Sequence, residues 1–265
     1  MTMTMLSRRQ LILAASAAES LPSFADGPEK IAVAGWSKPI TEVTPLLVLP
    51  PPSRVLQALW TGLASGYFWP HIATTATELL LGLGAGCAIG FATGVLLAEI
   101  PALRRVVMPY VVVSQVVPKL ALMPLFIVWF GFGLTSTVVI TALICFFPLM
   151  ENTLTGLAQV PPDRLELFRL LGATPRQTLW QLKLPTGLPS VLAGLRIAVV
   201  LALVGAVVGE FIGASRGLGA LIIAAQGSMD TPLMFAVLVL VSLLGLLAYQ
   251  ATLFLERRLL RPYSS

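Results

Sequence analysis

The sequence predicts an all-α membrane protein, a multi-span helical body of about five transmembrane helices with one long cytoplasmic loop. Charged residues make up only 11% of the 265-residue chain, against about 25% in soluble domains, too few to clothe a water-facing surface. Hydrophobic residues reach 57% and the mean hydropathy is +0.89. The apolar residues also cluster in runs of roughly 17 to 25, the length a helix needs to cross a bilayer core. The net charge of +5 does not point to nucleic acid, because no basic stripe is interleaved with aromatics. Cys87 and Cys145 both fall inside apolar runs, which argues against a disulfide framework or a metal knuckle. With His71 as the single histidine, no metal site, cofactor site or His-based catalytic group is expected.

Residues 1–25 read as an export signal. Arg8 and Arg9 precede the short apolar run Leu11 to Ala18, and Ser23-Phe24-Ala25 supplies small residues before a cleavage point. A cytoplasmic N-terminus that merely contains two arginines is the alternative. Residues 26–48 have a different character, and Lys30-Ile31-Ala32-Val33-Ala34-Gly35-Trp36 resembles the first strand of a periplasmic solute-binding protein. Pro50-Pro51-Pro52 ends that stretch, so the sequence reads as a binding-protein start joined to a membrane domain over 49–265, or as an unusual extension of that domain.

Ser53 is placed to cap a short interfacial helix carrying Val55, Leu56, Leu59, Trp60 and Leu63, and Tyr67, Phe68 and Trp69 form an aromatic belt after it. Five spans follow, at about 73–97, 106–130, 135–150, 189–212 and 234–254. Pro118 and Pro124 predict a kink or break in the second, and Phe147-Pro148 a short end to the third. Leu218 to Ala225 is too short to cross and reads as re-entrant or interfacial.

Basic residues orient the spans. Arg104, Arg105, Arg164, Arg169, Arg176, Lys183, Arg257, Arg258 and Arg261 occupy one set of connections, and Arg216 alone occupies the other. Nine charges against one put the 98–105 loop, the 151–188 loop and the C-terminus in the cytoplasm.

The 151–188 loop holds the densest pattern. Asp163 and Glu166 are spaced as a capping box, Gly172 supplies a left-handed helix end, and Thr174, Pro175 and Gln177 start a second helix that Pro185 should stop. Its apolar face, with Leu165, Leu167, Phe168, Leu170 and Leu171, suits either docking into a soluble partner or packing on the chain's own spans.

Glu166, Gly172 six residues later, then nine residues and Leu182-Lys183-Leu184-Pro185 resemble the EAA loop of ABC-transporter permeases, Glu-Ala-Ala, three residues, Gly, nine residues, Ile-x-Leu-Pro. Leu167-Phe168 replace the two alanines and Leu182 the isoleucine. Leu49-Pro50-Pro51-Pro52-Ser53, Trp129-Phe130-Gly131, Gly209-Glu210-Phe211-Ile212-Gly213 and Gly217-Leu218-Gly219 are similar to the nitrate, sulfonate and taurine branch.

That resemblance implies a type I importer-like permease in the bacterial inner membrane, with residues 163–185 as the coupling segment. Asp163, Glu166, Gly172, Ala173, Leu182, Leu184 and Pro185 would engage the ATPase. The implied partners are an ABC ATPase subunit that binds the ATP, a second permease copy, a periplasmic solute-binding protein and the lipid bilayer. Permeases of that branch carry a further span before the Leu-Pro stretch, and here the export signal stands in its place.

Within or beside the spans, Glu78, Lys119, Arg196 and Glu210 each cost a few kcal/mol unless paired or wetted. Lys119, Arg196 and Glu210 are candidates for lining a pathway for a small anionic solute, with pairing to a carboxylate the alternative for Arg196 and snorkelling to water for Glu78 and Glu210. A non-transporting membrane scaffold left by the fusion is the competing reading. An intramembrane enzyme is disfavoured, because Ser114 and Ser136 have no histidine near them in sequence.

Overall fold

The computed structural model describes residues 50–261, and the expected export signal and binding-protein-like segment lie outside the described residues. Among the described residues every regular element is helical. Helix α1 is Pro52–Ala64, α2 Trp69–Glu99, α3 Pro101–Val116, α4 Met123–Phe130 and α5 Leu134–Ala158. They are followed by α6 Pro162–Leu170, α7 Pro175–Thr178, α8 Leu184–Gly213, α9 Leu218–Gly227 and α10 Thr231–Leu260. A 3₁₀ turn, Lys119–Leu122, precedes α4, and a π-helical turn, Leu179–Lys183, joins α7 to α8.

Four of these segments are long and apolar enough to cross a membrane, and a fifth is counted if the bent pair of α3 and the Lys119–Phe130 stretch forms one span. That pair bends by 82°. The cause is local: Val117, forced out of the helical region by the proline after it, is extended at ψ 125°, and Pro118 follows at ψ 94°. Pro124 does not break anything, because it sits in the first turn of α4, where its missing N–H would have no partner.

Several expected boundaries are corrected. Helix α5 passes through Pro148 and extends to Ala158, eight residues beyond the expected end of the span at 150. Pro185 does not end the second loop helix either; helix runs unbroken from Pro175 to Gly213, 39 residues. The π turn absorbs that proline, with Leu184 N–H bonding back to Leu179 C=O. Ser53 lies inside α1 and not at its cap, since the helix begins at Pro52.

The body is assembled around α5, which lies between α2 and α8. Gly82, Gly86, Gly90 and Gly94 recur every four residues on α2 and so share one face. A Cβ on Gly86 would collide with the Ala142 main chain, one on Gly90 would lie 2.6 Å from Phe146 O, and one on Gly94 2.7 Å from Met150 O. The opposite side of α5 meets α8 in the same way. Gly156 and Gly187 face each other with 2.8 Å from an added Cβ to carbonyl oxygen, and a Cβ on Gly194 would lie 3.0 Å from Pro148 O. Lipid tails are as apolar as leucine, so backbone proximity and dispersion hold such helices together where hydrophobic burial cannot. Leu79, Cys145, Ala198, Ala202 and Ala206 fill the seam.

A second cluster pins the outer elements. Phe68, Leu218, Leu221, Ile222, Ala236, Val237 and Leu240 are buried together, and Val55, Leu59 and Leu63 of α1 pack on them. Leu56 and Trp60 on the other side of α1 stay exposed, as an interfacial helix requires.

Candidate functional site

The segment 159–188 leaves the end of α5 and returns as α8. Helix α6 starts at Pro162, after Pro161 in the N-cap position, so Asp163 sits in its first turn and no side-chain cap forms. The expected Asp163–Glu166 capping box is therefore absent; Asp163 acts there only as a negative charge near the helix N-terminus. Gly172 closes the helix at φ +71°, a backbone conformation that side chains with a Cβ resist, and Ala173 N–H reaches back to Phe168 C=O at 3.0 Å. The second box is formed: Gln177 N–H donates to Thr174 Oγ1 at 3.3 Å, and Thr174 N–H donates to Gln177 Oε1 at 2.8 Å.

One end of this segment is tied to the spans and the other is not. Leu182 is buried, and Lys183 Nζ donates to Glu99 Oε1 at 2.7 Å, fastening the π turn to the end of α2. Leu184 and Pro185 are half-buried at the start of α8. By contrast Leu170 and Leu171 are 80% and 74% exposed, and Leu167 and Trp180 are also exposed. Asp163, Glu166 and Gly172 lie on the same uncovered segment. Packing of this face on the chain's own spans is thus not what the structure shows.

A cavity of about 540 Å³ opens where α3 breaks, between the Pro118 turn, α5 and α8. Lys119, Gln115, Glu151 and Asn152 supply its polar groups, and Phe147, Ile144, Ile197, Leu201 and Val204 its apolar wall. Lys119 forms no ion pair with a carboxylate among the described residues; its ammonium stands 4.5 Å from the centre of the Phe147 ring.

The other two candidates for that pathway lie elsewhere. Arg196 Nε is 3.3 Å from Glu256 Oε2, an ion pair between α8 and α10 that is close without the alignment of a hydrogen bond. Glu210 is only 1% exposed and works as a tertiary clasp. Thr75 Oγ1 donates to Glu210 Oε1 at 2.6 Å, Gly219 N–H donates to Glu210 Oε2, and Leu218 N–H donates to Thr75 Oγ1 at 2.8 Å. The carboxyl thus receives the start of α9, where orphan backbone donors need acceptors. His71 Nδ1 accepts from Gly217 N–H at 3.2 Å, and a Cβ on Gly217 would collide with the Glu210 carboxyl. Glu78 is equally buried, so neither carboxyl snorkels to water.

Sequence reasoning did not single out the glycine stripe of α2, Glu151 or the Thr75–Glu210 clasp. The stripe was visible as glycine at 82, 86, 90 and 94 within an apolar run. The clasp had no local signal, because its partners are 135 residues apart. Among the described residues no three His, Cys, Asp or Glu side chains gather as a metal site.

Comparison with known proteins gives consistent results. The family described as "binding-protein-dependent transport system inner membrane component" matches residues 86–261. The formylaminopyrimidine transport permease protein ThiX of Halalkalibacterium halodurans is 38% identical, over 80% of this chain and 85% of its own length. The riboflavin transport system permease protein RibX of Chloroflexus aurantiacus is 39% identical over 82% and 81%. The taurine transport system permease protein TauC of Escherichia coli is 32% identical over 84% and 83%. In structure, a chain of the inward-facing MetNI methionine ABC transporter superposes with a TM-score of 0.64 at 24% identity, covering 71% of this chain and 94% of that one, which shows the shared fold. A helical body with a bent, proline-broken segment and a matching stretch of 176 residues from 86 to 261 leaves one assignment: the chain belongs to the binding-protein-dependent inner membrane components, as a multi-pass permease subunit of an ABC importer and not an enzyme.

Proposed function

We propose that this subunit lines the pathway of an ATP-driven importer for a small solute bearing an anionic group, delivered by a periplasmic binding protein. Residues 163–185 are the segment that seats in an ATPase subunit. The observation that supports the coupling reading is the uncovered pair Leu170 and Leu171 at the end of α6, in a segment whose return into α8 is fixed by Leu182 and the Lys183–Glu99 ion pair. An apolar tip on a fastened stem transmits a push; the same tip on a loose loop would absorb it. The ATP chemistry belongs to the separate subunit, since this chain has no Gly-x-x-x-x-Gly-Lys-Ser/Thr loop. Two copies of the chain would enclose the pathway between them.

Support for an anionic group comes from Lys119, the one basic residue of the 540 Å³ cavity. Glu151 on the same wall also suits a zwitterion, with its cationic end toward the carboxylate. The Phe147 ring and the apolar wall favour a second reading, a planar heterocycle, in keeping with the solutes named for two of the relatives.

The coupling test uses Gly172→Arg combined with Glu166→Ala. No atom lies within 4 Å of a Cβ placed on Gly172, so the substitution adds about 1–2 kcal/mol of local backbone strain without striking the body. The variant should insert normally and lose the co-purifying ATPase subunit. Co-purification at the native level sinks the coupling assignment. Transport assays of the assembled complex in proteoliposomes separate a working importer from a folded but inactive scaffold.

A further inference from the structure

The Lys183–Glu99 ion pair joins positions 84 residues apart, and its two side chains are only 20% and 25% exposed. Lys183 closes the π turn, one residue before α8. Glu99 closes α2, and Pro101 starts α3 two residues later. Neither residue lines the 540 Å³ cavity. At 2.7 Å the bond has the length of a charge-assisted hydrogen bond, and its partial burial sets it apart from exposed pairs that hold little.

A push on α6 has two routes into the helical body. The covalent route enters α8 through the most compliant stretch of that helix. The π turn is widened, and Pro185 and Pro189 bring no N–H to the helical ladder just after it. Such a stretch bends under load. The ionic route crosses from Lys183 to Glu99 and meets a rigid anchor. Leu97, two residues before Glu99, is buried in one cluster with Met150 and Leu154 of α5, and a Cβ on Gly94 would lie 2.7 Å from Met150 O. Glu99 also stands at the corner from which α3 departs, since Ile100, before a proline, leaves the helical region at ψ 88°. Of α3 only Val111 is buried, and Gln115 near its far end lines the cavity. Chains of packed side chains and ion pairs between stiff elements are what carry coupling over such distances.

We propose that Glu99 is a positioning residue for energy coupling. Through Lys183 it takes up the drive from residues 163–185 and passes it to the α2–α5 body and the α3 arm, bypassing the compliant start of α8. The inference rests on the coupling reading of that segment. It adds a point of entry outside the segment, on a helix that the EAA-like pattern does not include.

The test uses the full chain assembled with the ATPase subunit in proteoliposomes and carrying Gln115→Cys as a reporter in the cavity. Its labelling rate with a water-soluble maleimide is compared with and without magnesium ATP and vanadate. The background from Cys87 and Cys145 is measured on the chain without the reporter. ATP should change the rate when Glu99 is present. Glu99→Ala should keep the ATPase bound and the melting temperature in detergent unmoved, and should cut the ATP-dependent change about fivefold or more. Glu99→Gln offers an amide oxygen that can still accept from Lys183 Nζ, so it should lose less, and it keeps the question open to refutation if the alanine variant folds poorly. Glu99→Lys with Lys183→Glu should recover most of the response. An undiminished response in Glu99→Ala overturns the link, as does failure of the exchanged pair to restore it. Loss of the ATPase from Glu99→Ala also overturns it, by making the pair part of the docking surface. A reporter chain with native Glu99 that never retains the ATPase refutes the coupling reading itself, whereas a bound ATPase with a response independent of Glu99 refutes the link alone.

Discussion

Helix α5 and helix α6 are separated by three residues and are built on opposite terms. On α5 both lateral faces are closed by glycine against neighbouring backbone, and Ile140, Cys145, Met150, Thr137 and Thr141 are fully buried. On α6 no residue is buried at all, and its last turn ends in two leucines open to solvent. The difference follows from what each must do. Helices that move as one body in lipid need contacts that do not slip, and backbone contact through glycine has no flexible side chain to yield. Under the coupling role proposed for α6, its apolar surface has to stay uncovered until the partner arrives. The segment is fastened to the body at its other end, where Leu182 and the Lys183–Glu99 ion pair fix the entry into α8.

Breaking the stiff side of this comparison should have the largest effect. Gly86→Leu puts a branched side chain into the Ala142 main chain, where no side chain can rotate away. Overpacking of this kind costs about 3 kcal/mol or more. The expected outcome is loss of monodisperse protein in detergent, read by fluorescence-detected gel filtration of a tagged chain. Gly84→Leu serves as the control, because a Cβ there meets nothing within 4 Å and the variant should behave as wild type. Equal behaviour of the two variants would show that the stripe does not hold α2 to α5.

Breaking the open side should spare the fold and remove the partner. Leu170→Ser with Leu171→Ser alters side chains that are 80% and 74% exposed, so stability in detergent should move by less than about 1 kcal/mol. Burial of two leucines in a partner's groove is worth about 3 kcal/mol, on the order of a hundredfold in affinity. ATPase co-purification titrated with the purified subunit measures this directly. Loss of fold with retained binding would reverse the roles assigned to α5 and α6.

These two regions also differed in how far the sequence disclosed them. The proposed coupling segment is local: Gly172, Thr174, Pro175 and Gln177 act on backbone groups within a few residues, and the left-handed end and the capping box could be read directly from their spacing. Its errors were local too. Pro161 and Pro162 start α6 before Asp163 can serve as a cap, a competition between two start signals that spacing alone does not rank. In the spans the centres were legible and the ends were not. Pro148 and Pro185 read as stops because an isolated helix loses a bond there, whereas packed neighbours and a π turn accommodate them. Glu210 reads as an exposed charge near a span end until Thr75 and the start of α9 are brought to it by the fold. Arg196 likewise finds Glu256 on a different helix, 60 residues away.

The cavity beside α5 should respond more modestly. Lys119→Gln keeps a hydrogen-bond donor and removes the positive charge, which is worth about 1.5–3 kcal/mol when bonded to an anionic group. Uptake of an anionic solute into proteoliposomes should fall about tenfold or more, with the ATPase still bound. Lys119→Arg should recover much of it. An unchanged rate for Lys119→Gln would favour the planar, uncharged solute instead.

The smallest change sharpens the comparison most. Thr174→Ala removes the hydroxyl that accepts from Gln177 N–H, and it leaves the Thr174 main chain free to donate to Gln177 Oε1 as before. Caps of this kind are worth about 1 kcal/mol, and the low end applies here because water can replace the lost acceptor on an exposed segment. Amide exchange in residues 176–178 should speed up a few-fold while exchange in α5 stays at its wild-type rate. If α5 exchanged faster as well, the loop and the glycine-packed body would share one unfolding unit. The coupling segment would then be an extension of the core, and the contrast in packing would carry no mechanical meaning.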